Sequence, residues 1–366
     1  GKIKRLTVTD RFAVPLGETN NRDAAPEAGT TRFNQDFGTL EFFDGNNWKT
    51  VNSYARGSAA GRGVFGAGWD ASNNSDNLQS IQLTTLGNSV DFGTLNEARR
   101  NPGGRVSSSI RGFIAGGYTS AQINRIDSWT FASGGQADDF GNLLSATHAI
   151  HNNGVASSSR GIWAGGQVPS GRQNVIQYVE MGTFGDTLDF GDLNNDPNNG
   201  MGVGSPVRGL FCGGQKNGPI NLSIIDGITI ATKGNARNFG DLTKKVLYGG
   251  SVSSGTRGII AGGEVVPSPT FTSISNVEYI TISTAAKGFD FGELSSARSR
   301  IAGMETSTRG VFAGSVATGS SNTFTNVIDY INIGSSGNAI DFGDITNGEN
   351  YQIVGCSDSH GGLGGF

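Results

Sequence analysis

The chain has few cysteines, few charged residues and no long apolar run. Two of its 366 residues are cysteines and 16% are charged, against about 25% charged residues in an average globular protein. Two cysteines are too few for a disulfide framework, so we expect Cys212 and Cys356 to be buried thiols within their apolar segments. No apolar run approaches the ~20 residues of a membrane-spanning helix, and the N-terminal residues lack the apolar middle of a secretory leader. We therefore expect neither a membrane span nor a leader.

The charge of the chain argues against nucleic acid as a partner. The formal net charge is −4 at pH 7, and the Lys and Arg residues are scattered rather than clustered. A protein that binds nucleic acid needs a concentrated basic surface. The sequence therefore predicts no nucleic-acid partner.

Glycine is abundant, and it recurs within a fixed phrase. The chain has 59 glycines, about double the usual share. The phrase reads "IRGFIAGG" from Ile110 and "TRGIIAGG" from Thr256. Six arginines head its copies at steps of 48 to 52 residues: Arg62, Arg111, Arg160, Arg208, Arg257 and Arg309. A period of this length indicates one supersecondary unit repeated along the chain.

Three further segments keep the same period. A "DFG" phrase begins at Asp91, Asp139, Asp189, Asp290 and Asp341, with Asn238 replacing the Asp in the fourth copy. Before it lies a segment that alternates apolar and polar residues, as around Ile331 and Ile333, which indicates a half-buried strand. A segment of small residues precedes each arginine. Four short strands per repeat predict a β-propeller, with the small-residue strand innermost, then the arginine strand, the alternating strand and the "DFG" strand outermost.

The repeat resembles the kelch repeat. Its apolar strand ends in a glycine pair, its third strand carries Tyr178, Tyr279 or Tyr330 in three copies, and an aromatic residue follows about a dozen residues later. A Phe stands where kelch repeats usually have a Trp. The resemblance implies an all-β, kelch-like propeller.

The two ends of the chain suggest how such a ring closes. The segment from Ile353 copies the first two strands of a repeat, with His360 in place of the arginine. The segment from Thr30 reads as short strands around an Asp44–Gly45 hairpin turn. We predict a composite seventh blade that joins these two segments and leaves no open sheet edge.

The predicted organisation follows from this closure. Residues 1–29 form an N-terminal arm and residues 30–366 the propeller. Within the propeller, 30–51 supply outer strands of the closing blade, 52–350 the six repeats and 351–366 its inner strands. The alternative is a six-bladed ring with separately folded N-terminal hairpins.

A second resemblance bears on function. The segment "RFNQDFGTLEFFDGNNW" from Arg32 is similar to a segment of tail-fibre and other virion proteins of tailed phages, and the repeats look like those of structural proteins from marine phages. This resemblance implies a virion component on the tail or capsid surface. It further implies contacts with other virion proteins through the N-terminal arm, homo-oligomers within the particle, and a host-surface glycan as ligand.

The repeated polar residues are predicted to be structural. We expect the "DFG" Phe to pack between neighbouring blades. Each repeated arginine is expected to pair with a "DFG" carboxylate, with plain solvent exposure as the alternative. Because Asn238 lacks a carboxylate, Arg208 would need another acceptor.

The sequence offers no constellation typical of an enzyme. His148 and His151 are close together but have no further zinc ligands nearby, so we predict no metal, no cofactor and no catalytic residue. Candidate ligand contacts lie in two Ser/Thr-rich loops that follow the glycine pair: Phe271, Thr272, Phe324 and Thr325. They suit glycan contact or docking to another virion protein, and they also suit plain solvated loops. A carbohydrate-active enzyme on a propeller and a cellular kelch-type interaction module remain the alternatives.

Overall fold

The chain folds as two compact all-β units. The computed structural model describes residues 14–35, 39–50, 61–69, 72–218, 220–265, 272–314, 316–317, 324–346 and 352–363. Contacts divide the chain into Gly1–Ser58 and Ala59–Phe366. The described residues form strands and two short 3₁₀ turns, with no α-helix among them. The predicted all-β class is confirmed.

The smaller unit is one four-stranded sheet. Its strands, in sheet order, are β1 (Leu16–Gly17), β2 (Thr31–Asn34), β3 (Thr39–Phe43) and β4 (Trp48–Thr50), and a 3₁₀ turn spans Thr19–Asn21. The predicted hairpin turn is present, since Asp44 Oδ1 accepts bonds from the backbone N–H groups of Asn46 and Asn47 at 2.8 and 2.7 Å. Because β1 pairs with β2, the predicted boundary at residue 29 is wrong; the part of the predicted arm before residue 14 lies outside the described residues.

A buried carboxylate ties this small sheet together. Glu41 is fully buried, and Arg22 donates to both of its oxygens, at 3.2 and 2.6 Å. The Asn34 amide donates to the same carboxylate at 3.1 Å. The hydrogen bond from Arg22 is the main cause that lowers the pKa of Glu41 below its usual range. Strands β2, β3 and β4 thus belong to a sheet of their own with β1.

The described residues of the larger unit form six main sheets, numbered here 1 to 6 along the chain; sheet 1 has five strands and the other five have four. Sheet 1 uses β5 (Arg62–Gly66), β6 (Ser75–Gln82), β7 (Val90–Arg99) and, at the outer edge of β7, β11 (Gly135–Gln136). Sheet 2 uses β8 (Gly103–Ser107), β9 (Arg111–Tyr118), β10 (Gln122–Thr130) and β12 (Asp138–Asn142). Sheet 3 uses β13 (Gly154–Ala156), β14 (Arg160–Ala164), β17 (Val175–Glu180) and β18 (Leu188–Asp192), with a small hairpin of β15 (Gln167–Val168) and β16 (Gly171–Arg172).

The later sheets repeat this plan. Sheet 4 uses β19 (Met201–Gly204), β20 (Arg208–Cys212), β23 (Ile224–Thr229) and β24 (Arg237–Asp241), with the hairpin β21 (Gln215–Lys216) and β22 (Ile220–Asn221). Sheet 5 uses β25 (Gly250–Ser253), β26 (Arg257–Ala261), β29 (Asn276–Thr281) and β30 (Phe289–Glu293), with β27 (Glu264–Val265) and β28 (Thr272–Ser273). Sheet 6 uses β32 (Ala302–Glu305), β33 (Arg309–Ala313), β35 (Val327–Asn332) and β36 (Ile340–Asp344), with β31 (Arg298–Ser299) paired to β34 (Val316–Ala317).

The strand order within the sheets confirms the sequence prediction. In sheets 2 to 6 the small-residue strand lies at one edge, followed by the arginine strand, the alternating strand and the "DFG" strand. The small-residue strands of successive sheets contact one another. Gly, Ala and Ser are frequent in them because the sheets converge there and leave little room for large side chains.

The C-terminal strand completes sheet 1. Strand β37 (Val354–Ser357) pairs antiparallel with β5, with Val354 opposite Gly66 and Ser357 opposite Gly63. It contacts β8 on one side and β32 on the other. Asp358, whose pKa burial raises to about 6, then accepts bonds from the backbone N–H groups of Gly61 and Arg62. A 3₁₀ turn at Gly361–Leu363 ends the described chain.

This pairing corrects the predicted closing blade. Strand β37, from the segment predicted to supply the inner strands, joins the first repeat, while β2, β3 and β4 form the separate small sheet with β1. The described residues therefore form no seventh sheet of this kind. The arrangement is consistent with a β-propeller.

The apolar core lies between neighbouring sheets. Six clusters each combine residues of two successive sheets, and the one that contains Phe65, Leu83 and Phe342 joins sheet 6 back to sheet 1. The "DFG" Phe belongs to each cluster, and all six except the partly exposed Phe239 are buried. The predicted packing of this Phe between sheets is confirmed.

The "DFG" Gly lets the outermost strand approach the next sheet. Gly343 has a φ of +148°, and a Cβ there would collide with the carbonyl group of Gly87. The Gly87 N–H donates to the Phe342 carbonyl at 3.0 Å, and the Ser89 N–H donates to Asp344 at 2.9 Å. These bonds cover an edge that would otherwise expose unpaired backbone groups.

Candidate functional site

Five of the six repeated arginines reach across to the following sheet. In each, Nη1 donates to the carbonyl oxygen at the end of the next sheet's third strand: Arg62 to Phe131 (2.5 Å), Arg160 to Ile230 (2.8 Å), Arg208 to Ile282 (2.8 Å), Arg257 to Ile333 (3.2 Å) and Arg309 to Leu83 (2.8 Å). The last of these bonds joins sheet 6 to sheet 1. The repeated arginine is therefore a strut between sheets.

An aromatic ring of the same sheet supports each of these guanidinium groups in sheets 3 to 6. The distances to the ring centroids are 4.5 Å for Arg160 and Tyr178, 5.2 Å for Arg208 and Phe239, 4.7 Å for Arg257 and Tyr279, and 4.7 Å for Arg309 and Tyr330. Arg111 instead lies 4.8 Å from the ring of Phe184 in the next sheet. Such cation–π contacts fix the direction of the arginine side chain.

The predicted pairing of the repeated arginines with the "DFG" carboxylates is wrong. No ion pair in the described part of the chain joins the two sets. The carboxylates are exposed at the outermost strand: Asp91, Asp139, Asp189, Asp290 and Asp341. The arginine begins the second strand, and the third strand with its aromatic residue lies between them. Arg160 pairs with Glu180 instead, at 2.7 Å.

A second set of polar side chains links the sheets, and the sequence analysis missed it. The residue before the Tyr position is always Gln, Asp or Glu. In sheets 2 to 6 it accepts a backbone N–H from a residue shortly after the "DFG" phrase of the preceding sheet: Asp127 from Asn96, Gln177 from Leu144, Asp226 from Asn194, Glu278 from Thr243 and Asp329 from Ser295. In sheet 1 the link is indirect: the Ser89 hydroxyl donates to the Gln79 side-chain oxygen and accepts the backbone N–H of Thr346. Aligning the repeats would have shown this position.

Two members of this set also have a buried arginine. Arg99 pairs with Asp127, and Arg298 pairs with Asp329 at 2.7 Å; all four side chains are fully buried. Burial lowers the pKa of Arg99 to about 10 and lowers that of Arg298. The equivalent backbone positions in the intervening repeats hold Thr147, Pro197 and Val246.

Glu278 and Asp226 have no such partner, and burial raises the pKa of both carboxyl groups. When the pKa of a carboxyl group is higher in the native state than in the unfolded state, its ionised form destabilises the native state at pH values above the native pKa. This destabilisation disappears as the pH falls from the native pKa to the unfolded-state pKa. These two carboxylates therefore oppose folding at neutral pH.

Replacing Glu278 by Gln is expected to raise the free energy of unfolding at pH 7 by about 1 kcal/mol. The Gln side chain still accepts the Thr243 N–H, as Gln177 accepts that of Leu144 in sheet 3. Urea denaturation at pH 7 and below pH 4.5 measures the effect, and the gain should shrink at the lower pH. The control Glu293→Gln removes a charge from an exposed position and should change stability little. An unchanged or lowered stability of Glu278→Gln at pH 7 would contradict the prediction.

Side chains fill the region where the innermost strands converge. Arg105 of β8 donates to both oxygens of Glu305 on β32, at 2.7 and 2.9 Å, and both side chains are buried. Beyond them the C-terminal tail folds inward, since His360 Nε2 lies 2.7 Å from the Ser107 carbonyl oxygen. These two charges stand out within otherwise small-residue strands, a signal that the sequence analysis did not use.

The predicted ligand loops belong to two different sheets. Thr272 is exposed on the hairpin of sheet 5, where it pairs with Val265. Phe324 and Thr325 precede the third strand of sheet 6 and are half-buried, and the Thr325 hydroxyl accepts the Val327 N–H. Phe271 lies outside the described residues. Because they belong to different sheets, they are treated as separate candidates.

The histidines and cysteines have structural surroundings. The His148 ring packs edge-on against Tyr118 and the His151 ring against Tyr248. Burial lowers the pKa of His151 to about 3. Cys212 and Cys356 are buried free thiols, as predicted, and burial raises the pKa of Cys356 to about 12. Within the described ranges, no three His, Cys, Asp or Glu side chains are grouped to hold a metal ion.

Two open cavities lie beside arginine–aromatic pairs. One, of about 430 Å³, lies over Arg309 and Tyr330 in sheet 6. The other, of about 750 Å³, lies over Arg208 and Phe239 in sheet 4 and also contacts Ser283 of sheet 5. Both are surfaces where a ligand could meet a fixed guanidinium group.

The described part of the chain contains no helix with the length and apolar character needed to cross a bilayer. Searches against family models and curated proteins found no match to this chain.

Proposed function

We propose that this protein is a non-enzymatic structural component of a phage virion, displayed on the tail or capsid as a six-bladed, kelch-like propeller. The observation that carries the proposal is the use of the repeated polar residues. The repeated arginines and the acid or amide before the Tyr position bind backbone groups of neighbouring sheets, as in the Arg309–Leu83 and Asp329–Ser295 bonds. Chemistry repeated in this way stabilises a rigid ring and leaves the loops to vary.

The phage assignment rests on the resemblance of the segment from Arg32 to virion proteins. Its described residues include strands of the smaller unit, in which Arg22 and Asn34 donate to the buried carboxylate of Glu41. Such a unit suits attachment to another virion protein or to a second copy of the chain. The loops around Thr272 and Phe324 then suit contact with a host-surface glycan.

Cryo-electron microscopy of purified particles from the infected host tests this proposal. We expect a six-sheet disc on the particle surface, with residues 14–50 against a neighbouring subunit. Mass spectrometry that finds the protein only in host fractions would contradict the virion assignment. A parallel hydrolysis assay of the full chain on a glycan panel addresses the enzyme alternative, and product release would contradict a non-enzymatic role.

A further inference from the structure

The fourth repeat departs from the others at four positions around its cavity. Asn238 replaces the "DFG" Asp, and Arg237 precedes it where the other repeats have Val, Asp, Leu, Phe or Ile. Lys233 stands where they have Leu, Gly, Phe, Ala or Ser, and Gly227 stands where three of them have Tyr. The changes at Lys233, Arg237 and Asn238 each make this part of the repeat more positive.

Sheet 6 provides the measure of this change. Its matched residues are Ser336, Ile340 and Asp341. Sheet 4 has Lys233, Arg237 and Asn238 at these positions. It therefore has two additional positive charges and lacks one negative charge, so its groove is more positive by three charges. Positive charges concentrated in one groove raise the local concentration of an anion.

The cations of this groove are not neutralised by the protein. Arg208, Lys233 and Arg237 all line the cavity, and its lining includes no Asp or Glu. In the described part of the chain, none of the three forms an ion pair with a carboxylate. Lys233 and Arg237 are exposed, so a ligand can reach them without moving the fold.

Arg208 is held in a fixed direction towards the cavity. Its Nη1 donates to the carbonyl groups of Ile282 and Ser283, each at 2.8 Å, and its guanidinium lies over the Phe239 ring. Phe239 packs against Gly227, in space that a Tyr side chain would need. Among the described residues, Nε and Nη2 of Arg208 bond to no protein acceptor, which leaves donors for an oxyanion.

We propose that this groove binds a sugar that carries an oxyanion group, a sulfate or a carboxylate. Neutral side chains that suit sugar hydroxyls share the lining with the cations: Thr229, Thr232, Asn235, Asn238 and Ser283. Three cations on one sheet suit one or two anionic groups, whereas a nucleic acid needs a longer basic surface. The site belongs to the fold itself and does not depend on the proposed virion role.

Calorimetry with the full chain at low salt tests the site. The probes are a heparin-derived sulfated tetrasaccharide, an oligogalacturonate tetramer and uncharged maltotetraose. We expect at least one anionic probe to bind with one site per chain and maltotetraose to bind at least about tenfold more weakly. Comparison of the two anionic probes identifies the preferred oxyanion. Salt should weaken the binding because exposed charges are screened.

Variants that copy the residues of sheet 6 locate the binding. Lys233→Ser with Arg237→Ile should lower the affinity at least about tenfold, and Asn238→Asp should also lower it. The matched control, Lys244→Ser with Lys245→Ser, removes two exposed positive charges outside the lining and should leave the affinity within about twofold. Conversely, Ser336→Lys, Ile340→Arg and Asp341→Asn together should create a second site on sheet 6.

Three results would overturn the proposal. The first is the absence of binding by both anionic probes at millimolar concentration. The second is an equal loss of affinity in the groove variant and the Lys244/Lys245 control, which would show unspecific charge attraction. The third is tighter binding of a single-stranded DNA tetramer than of either sugar, which would assign the groove to nucleic acid.

Discussion

Oxidation of a Val64→Cys variant is expected to join position 64 to Cys356 and to stabilise the larger unit by about 2–4 kcal/mol relative to its reduced form. Val64 and Cys356 are directly opposite in the β5–β37 pair, and both side chains belong to the cluster between sheets 1 and 2. Opposite residues of antiparallel strands have Cα atoms about 4.5–5.5 Å apart, within the range of a disulfide. The bond would link the two ends of the six-sheet unit and constrain nearly its whole unfolded chain.

The measurement is the melting temperature of oxidised and reduced protein, which should differ by roughly 5 °C. Comparing the two redox states of one variant cancels the cost of replacing the buried Val64. The control, Val64→Cys with Cys356→Ser, retains Cys212 and should show no redox-dependent difference. Failure of the folded variant to form the disulfide would show that β37 does not lie beside β5.

The local strand order was predictable from the sequence, but the closing pair was not. The alternation of apolar and polar residues around Ile331 shows which face of that strand is buried. The small residues before each arginine indicate a strand at the crowded inner edge. Both patterns are local in the sequence. The copy from Ile353 identifies an innermost strand. It does not specify which sheet that strand joins, because the choice depends on the sheet whose inner edge is open. Sheet 1 has that edge, since its strands along the chain begin with the arginine strand β5.

The polar partners were harder to predict for a different reason. A repeated Arg and a repeated Asp suggest an ion pair, but the acceptors of Arg257 and Arg309 are backbone carbonyl groups. Every residue has a carbonyl group, so such a bond leaves no trace in the residue types. The Arg298–Asp329 pair was not predicted because Arg recurs at this position only as Arg99, and the repeats between them have Thr147, Pro197 and Val246 there.

Replacing Arg298 by Met is expected to lower the free energy of unfolding by about 3–5 kcal/mol. Arg298 donates to Asp329 and to the carbonyl group of Val327, at 2.7 and 2.8 Å, and both side chains of the pair are fully buried. Without the guanidinium, Asp329 keeps only the backbone N–H and hydroxyl of Ser295. A buried carboxylate with no cation then destabilises the native state. Chemical denaturation at pH 7 measures the loss.

A double-mutant cycle separates the charge effect from packing. Asn at position 329 can still accept the Ser295 N–H but has no charge, so Arg298→Met with Asp329→Asn should recover at least about 1 kcal/mol relative to Arg298→Met alone. Equal stability of the two variants at pH 7 would instead assign the whole cost to packing. In that case the ion pair would not be what holds the turn of Ser295 against sheet 6.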